Sequence, residues 1–278
     1  MTTPDTLDSG LPEYSRPPIV EVAASIEFAN IRDLNAVRLG MLWSRFRGEY
    51  PRTEQHPPLP SSAESFDPSK GGRVEFSVET TFPIPRLWFL REDGTRLIQL
   101  QSNRIVANWR QMESGQSYLR YSSLKTMLRD ALEKLQSFLA EEKLGPIKPE
   151  QVELTYVNHI SAGARGSARH ELSHYLRCWN GVPKESELGA EEATSFRTQF
   201  VLRREEKRAA RLFVELESGY AANSGLPIYV LNLAARGAPD SPSVEAAFEF
   251  LDDEHRWIVN GFTQLTTGSA HSLWERTK

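Results

Sequence analysis

Hydrophobic and polar positions along the chain follow the same order of patterns twice. An extended apolar segment, a helix, a group of strands and a long helix occupy residues 18–143, and a weaker copy of this order occupies residues 151–266. β-branched residues favour a strand over Ile19–Phe28, where the first copy begins. The pattern therefore predicts two related units within one chain.

Apolar side chains at three- and four-residue spacing predict the helices of both units. Asp33 is a suitable N-cap for the first helix, Pro51 ends it, and its predicted apolar face includes Val37 and Met41. Gly145-Pro146 ends the second helix. The helices are predicted over residues 33–50, Tyr118–Lys143, His170–Asn180 and Ser243–Leu265.

Alternating apolar and polar residues between turn signals predict the remaining strands. Residues 51–72 contain five prolines and a Gly-Gly pair, so they are predicted to form a long loop. Asp93-Gly94 is a strong hairpin signal, and Ser102-Asn103 is a second predicted turn. The strands are predicted over Arg73–Thr80, Arg86–Arg91, Arg96–Arg110 (divided by the second turn), Gln151–Ile160, Ser195–Arg204, Ala209–Ser218 and Pro227–Ala235.

Two such units that pair edge to edge would form one α+β fold. The expected architecture is a curved, mostly antiparallel sheet with helices on one face, as in saddle or helix-grip folds. The predicted boundaries are a flexible tail over residues 1–16, a first β-α-β-α unit over 17–146 and a second over 147–278. The open face is the expected place for a ligand or partner, so Trp88, Trp109 and Tyr156 are candidate binding-face residues. The alternative is that all three are core residues.

Composition narrows the class of protein. The net charge of −4 gives no general attraction to nucleic acid or to acidic lipid surfaces. The single cysteine, Cys178, excludes an intrachain disulfide and is expected to be a small core residue. No apolar run approaches the roughly 18 residues that span a bilayer, and the polar, acidic N-terminus is unlike a signal peptide. A cytoplasmic protein is expected.

One motif is typical of catalysis. His170-Glu171-Leu172-Ser173-His174 matches H-E-x-x-H, in which two histidines one helical turn apart bind zinc and the glutamate acts as a general base. Arg169 would oppose metal binding, and no third ligand is assigned, so a helix with surface histidines is the other interpretation. His255, which follows three acidic residues, is expected to be solvated and charge-paired.

Arginines in the predicted strands raise a nucleic-acid alternative. They could mark a basic face in the concavity of a saddle, although they lie mostly at strand ends and are not interleaved with aromatic residues. The residues concerned are Arg73, Arg86, Arg91, Arg96, Arg104 and Arg110.

Several segments together resemble a sporadically distributed family of uncharacterised prokaryotic proteins of similar length. The resemblance covers residues 17 to 276 and implies no activity and no catalytic residue. The family's patchy occurrence is similar to that of mobile defence or toxin–antitoxin genes. The segments are Pro18–Val22 leading to Phe28, Asn108-Trp109-Arg110, Tyr118 with Tyr121, Leu154–Ile160 and Leu273-Trp274.

The preferred interpretation is a non-enzymatic binding protein that engages another protein. A toxin, a phage component or a second copy of the chain would each suit this role. The alternatives are a zinc-dependent hydrolase, which uses His170, Glu171 and His174, and a nucleic-acid-binding saddle protein. Only the hydrolase would need a cofactor, namely zinc.

Overall fold

The computed structural model describes residues 10–61, 64, 66, 84–113, 115–162, 172–181, 187–188 and 192–278. These residues form an α+β fold in which four α-helices pack against one open, nine-strand antiparallel sheet. The strands are β1 (Ile19–Phe28), β2 (Arg52–His56), β3 (Arg86–Leu90), β4 (Arg96–Gln101), β5 (Arg104–Arg110), β6 (Pro149–Ser161), β7 (Ser195–Arg204), β8 (Lys207–Tyr220) and β9 (Pro227–Gly237). The helices are α1 (Ala36–Trp43), α2 (Tyr121–Glu141), α3 (Val244–Leu265) and α4 (Gly268–Leu273).

The strands follow the order β2-β3-β4-β5-β1-β6-β9-β8-β7 across the sheet. At its centre, β1 pairs antiparallel with β6, so that Val22 lies opposite Tyr156. The strands of residues 17–146 therefore lie on one side of this central pair, and those of residues 147–278 lie on the other. Between the described strands, β2 and β7 form the two edges of the sheet.

The main core lies between the helices and one face of the sheet, called here the helix face. On β1, every second side chain from Val22 points into this core, as the two-residue repeat of a strand requires. α2 and α3 each contribute one buried stripe, which accounts for their predicted amphipathic pattern. The stripes are Leu124, Leu128, Leu132, Leu135 and Leu139 on α2, and Phe248, Leu251, Ile258 and Phe262 on α3.

Two of the predicted helices differ from those observed. α1 begins after the N-cap Asn35 and has only eight residues, so Leu39 and Leu42 reach the core while Val37 and Met41 remain exposed. Further along the chain, the prediction of a helix over His170–Asn180 is wrong for the described residues. Only a 3₁₀-helix, Leu172–His174, forms there, because a β-bridge from Leu176 to Thr266 then takes the backbone out of helical geometry. Cys178 follows this bridge and is exposed, not part of the core.

The predicted loop over residues 51–72 contains the edge strand β2, which pairs with β3. Its residues are polar or charged, so the strand has no hydrophobic pattern. The predicted division at Ser102-Asn103 is confirmed, since β4 and β5 form a hairpin there. The predicted strand Arg73–Thr80 lies outside the described residues.

The described part of the predicted N-terminal tail is attached to the body of the protein. Tyr14 is buried, its hydroxyl lies 2.9 Å from the Thr263 hydroxyl oxygen, and its backbone forms a β-bridge with Arg276. Trp274 is also buried and packs against Phe262. None of the described helices combines the length and apolar character needed to cross a membrane.

Candidate functional site

The H-E-x-x-H motif falls only partly within the described residues. His170 and Glu171 lie outside them, while His174 is exposed at the end of the 3₁₀-helix, where its carbonyl oxygen accepts a hydrogen bond from the Thr267 hydroxyl. In the described part of the chain, no group of three or more His, Cys, Asp and Glu side chains could hold a metal ion. The zinc hypothesis therefore depends on residues that the structure does not describe.

The three candidate binding-face residues lie on two different faces of the sheet. Trp109 and Tyr156 are only 3% and 4% exposed and belong to the core on the helix face. Trp88 lies on the opposite face, where the imidazole of His56 stacks on its ring at a centroid distance of 3.9 Å. Its buried indole Nε1 has no hydrogen-bond partner. These residues do not form one binding surface.

His255 lies in the core, so the expectation that it is solvated and charge-paired is wrong. Its Nδ1 lies 3.0 Å from the Tyr156 hydroxyl, and its ring stacks on Tyr121 at 4.1 Å. The Tyr156 hydroxyl is also 3.2 Å from that of Tyr118. Four residues from three distant segments of the chain therefore form one aromatic cluster at the junction of α2, α3 and β6. The α-helical spacing of His255 from Leu251 could have revealed its inward position.

A cavity of about 90 Å³ lies beside this aromatic cluster. Ile19 and Leu233 line it from the sheet, α3 forms one wall, and the N-terminal segment Leu11–Tyr14 covers it. Glu13 in this cover forms an ion pair with Arg120 at 3.1 Å, next to the start of α2. The cavity is mostly apolar, and its polar lining groups include the tyrosine hydroxyls, Asn158 and His255. Its size suits a few water molecules or one small ligand.

The face opposite the helices, called here the polar face, carries a continuous hydrogen-bond network. Arg86 donates to Gln99 Oε1 (2.8 Å), Gln99 donates to Asn108 Oδ1 (2.6 Å), and Asn108 donates to Glu21 Oε1 (2.9 Å). Burial raises the pKa of Glu21, and the bond from Asn108 and the charge of Arg110 only partly offset this effect. The network therefore crosses β3, β4, β5 and β1 on the face opposite the main core.

The chain itself crosses the centre of the polar face. The backbone N–H groups of Leu59 and Glu64 donate to the side chains of Gln101 and Gln151, at 2.9 and 2.7 Å. The Glu64 carboxylate forms ion pairs with Arg211 and Arg236. The expected open hollow is thus occupied at its centre by the protein's own polar groups.

The strand arginines do not form one basic face. Arg104 is buried in an ion pair with Glu27, and Arg110 donates to the Gly94 carbonyl oxygen at 3.0 Å. Arg96 has the side-chain direction of Ile98, which places it on the helix face. The other members of the set are Arg86 in the polar network, Arg91 beside Glu49 at 3.8 Å and Arg73 outside the described residues. Most of these guanidinium groups form hydrogen bonds or ion pairs with other residues of the protein.

No described strand pairs with the outer edge of β7. Among the described residues, this ten-residue strand pairs only with β8. Phe200 and Val201 are 42% and 47% exposed on its two faces. On the helix face, a groove of about 340 Å³ runs beside the strand and is lined mainly by apolar residues, including Leu176, Trp179 and Leu265. Strand and groove together, called here the β7 edge, form the largest unpartnered backbone surface of the described sheet.

No protein-family model matches the chain, and no curated protein is significantly similar to it.

Proposed function

We propose that the chain is a non-enzymatic binding protein that engages another protein through the β7 edge. The supporting observation is that β7 is long, has an apolar residue exposed on each face and, among the described strands, pairs on one side only. A long edge strand with exposed apolar residues can pair with a strand of another chain, and the three arginines of β7 would restrict which strands fit. The opposite edge, β2, has five polar or charged residues, so it is protected in the usual way.

The groove beside β7 supports the same proposal. When an extended peptide joins a sheet edge, main-chain hydrogen bonds supply affinity, and pockets for alternate side chains supply specificity. Phe196 and Phe200 on the helix face line the groove, and every second residue of an added strand would point to this face. The β7 edge thus has both parts of such a site.

We further propose that the two halves of the chain are related units. Support comes from the strand order, because β5, β4 and β3 follow β1 outward as β9, β8 and β7 follow β6. In each half, a long helix follows the strand next to the centre. The family resemblance adds the proposal that the protein acts in a toxin–antitoxin or phage-defence system.

Site-specific photo-crosslinking in the native host tests the binding role. A photoreactive residue replaces Gln199 on β7, or Val37 on the exposed side of α1 as the matched control. We expect one discrete adduct from position 199, none from position 37, and loss of the adduct when Phe200→Asp is added. An adduct that survives Phe200→Asp, or no adduct at position 199, would contradict binding at this edge.

A further inference from the structure

Resting on this proposed function, we infer that the partner segment at the β7 edge is an extended strand of another protein in which acidic residues alternate with apolar ones. Alternate side chains of β7 point to opposite faces, with Phe196, Thr198 and Phe200 toward the helix face and Arg197 and Val201 toward the polar face. The side chains of a strand that pairs with β7 also alternate between the two faces. Those on the helix face and those on the polar face would therefore contact different kinds of side chain.

On the polar-face side, the positive charge of β7 decides which side chains of a partner strand would fit. β7 contains three arginines and no acidic residue. Arg204 is paired within the protein, with Asp240 and Asp253 at 2.7 and 3.1 Å. In contrast, the Arg197 side chain is 67% exposed, and its Nε lies 2.8 Å from the Glu215 carboxylate. Arg203 is exposed and donates to a single carbonyl oxygen, that of Glu206.

These two arginines retain donors that a carboxylate on the added strand would bind. Charge-assisted hydrogen bonds of guanidinium to carboxylate are stronger than neutral ones and fix the register of a partner. Acidic residues are therefore expected on the polar-face side of the partner segment, at the positions that lie beside Arg197 and Arg203.

On the helix-face side, the apolar surface beside β7 decides which side chains of a partner strand would fit. Here Phe196 and Phe200 rise beside the groove, whose floor includes Val214 and Leu265. An unpaired charge inserted at this place would lose its hydration without gaining a partner among these side chains. Valine, leucine or phenylalanine side chains would instead remove apolar surface from water. The second set of alternate positions is therefore expected to be apolar.

The same charges oppose pairing of two copies of the chain. An antiparallel pair centred on Phe200 would place Arg197 of one copy opposite Arg203 of the other. Like charges that lie directly opposite each other destabilise a strand pair. A second copy thus fits the edge less well than an acidic strand.

Fluorescence polarisation with defined peptides tests this inference on the full chain. One labelled probe of about ten residues, the length of β7, alternates glutamate and valine, and its counterpart alternates lysine and valine. We expect saturable binding of the acidic probe alone, weakened by salt. The double variant Arg197→Glu/Arg203→Glu should lose about tenfold in affinity for the acidic probe, about 1.4 kcal/mol, and should gain binding of the basic probe. Because this variant gains a ligand, misfolding cannot imitate the result.

The groove is tested with the same acidic probe. Phe200→Ser should weaken binding, whereas Met41→Ser, which removes a similarly exposed apolar side chain from α1, should leave it unchanged. If both probes bind equally and Phe200→Ser weakens both, the edge binds strands but the acidic preference is wrong. If neither probe binds while the crosslinked adduct at position 199 forms, the inference is overturned and the binding role stands. An adduct of two identical chains would overturn the inference in favour of self-pairing.

Discussion

The carboxyl group of Glu254 should make the protein less stable as the pH rises. This residue lies in the middle of α3 and is fully buried, and no side chain of the described residues donates a hydrogen bond to its carboxylate oxygens. Burial, together with the negative charge of Glu153, raises its pKa well above the ordinary value, while Arg236 only partly offsets this effect. The folded protein therefore holds a proton that the unfolded chain releases at a lower pH.

The size of the effect follows from proton linkage. Below about pH 4, both states bind the proton and Glu254 costs nothing. Above that pH, the free energy of unfolding should fall by about 1.4 kcal/mol per pH unit, up to the raised pKa of the folded state. Glu254→Gln keeps the shape and removes the titration, so its curve of stability against pH should lack this decline. The variant should gain stability relative to the original chain at each step toward neutral pH.

Urea denaturation of both proteins at several pH values between about 4 and 7 measures this difference directly. Glu249→Gln is the matched control, because Glu249 is exposed on the same helix. Its stability should follow that of the original chain at every pH. Parallel curves for the original chain and Glu254→Gln would refute the assignment of a protonated, unpaired carboxyl group.

Two further substitutions test the packing on which the fold depends. In thermal melts, Gly237→Ala should destabilise the protein by about 1–3 kcal/mol, since a Cβ there would lie 2.7 Å from the Phe250 ring. Gly219→Ala is the control and should change little, because a Cβ at this position would have no atom within 4 Å among the described residues outside its chain neighbours. Glu27→Leu should cost about 3–5 kcal/mol because it leaves the buried charge of Arg104 without its carboxylate. In urea denaturation, adding Arg104→Met should restore most of that loss, and a double variant as unstable as the single one would contradict the assignment.

The sequence predicts those elements whose burial follows a regular period. The bounds of Ile19–Phe28 and Ser195–Arg204 agree with β1 and β7, and α3 (Val244–Leu265) agrees with the helix predicted over Ser243–Leu265 to one residue. In such elements, one face packs against the core, so the local pattern reports the tertiary position directly. The polar edge strand β2 has no such pattern, because its place depends on pairing with β3 and not on burial.

The sequence could not predict the environments of residues that are set by distant contacts. Local charge predicted a solvated His255, yet the residue lies on the buried side of α3 and contacts Tyr156 and Tyr121 from other elements. Similarly, the aromatic residues Trp88 and Trp109 were grouped together because both lie in strands. Their opposite faces follow from register, which a shift of one residue reverses.

The distribution of polar groups explains why binding is proposed at an edge and not in the expected hollow. When helices cover one face of a sheet, the polar groups on the other face must form hydrogen bonds with water, with a partner or with the protein's own chain. Here Glu64 binds two arginines across the centre, and Arg104 is buried against Glu27, so a partner at this place would first have to break ion pairs. At β7, by contrast, an added strand would meet unpaired backbone groups and break no pairing between the described strands. The lower desolvation cost therefore favours the β7 edge.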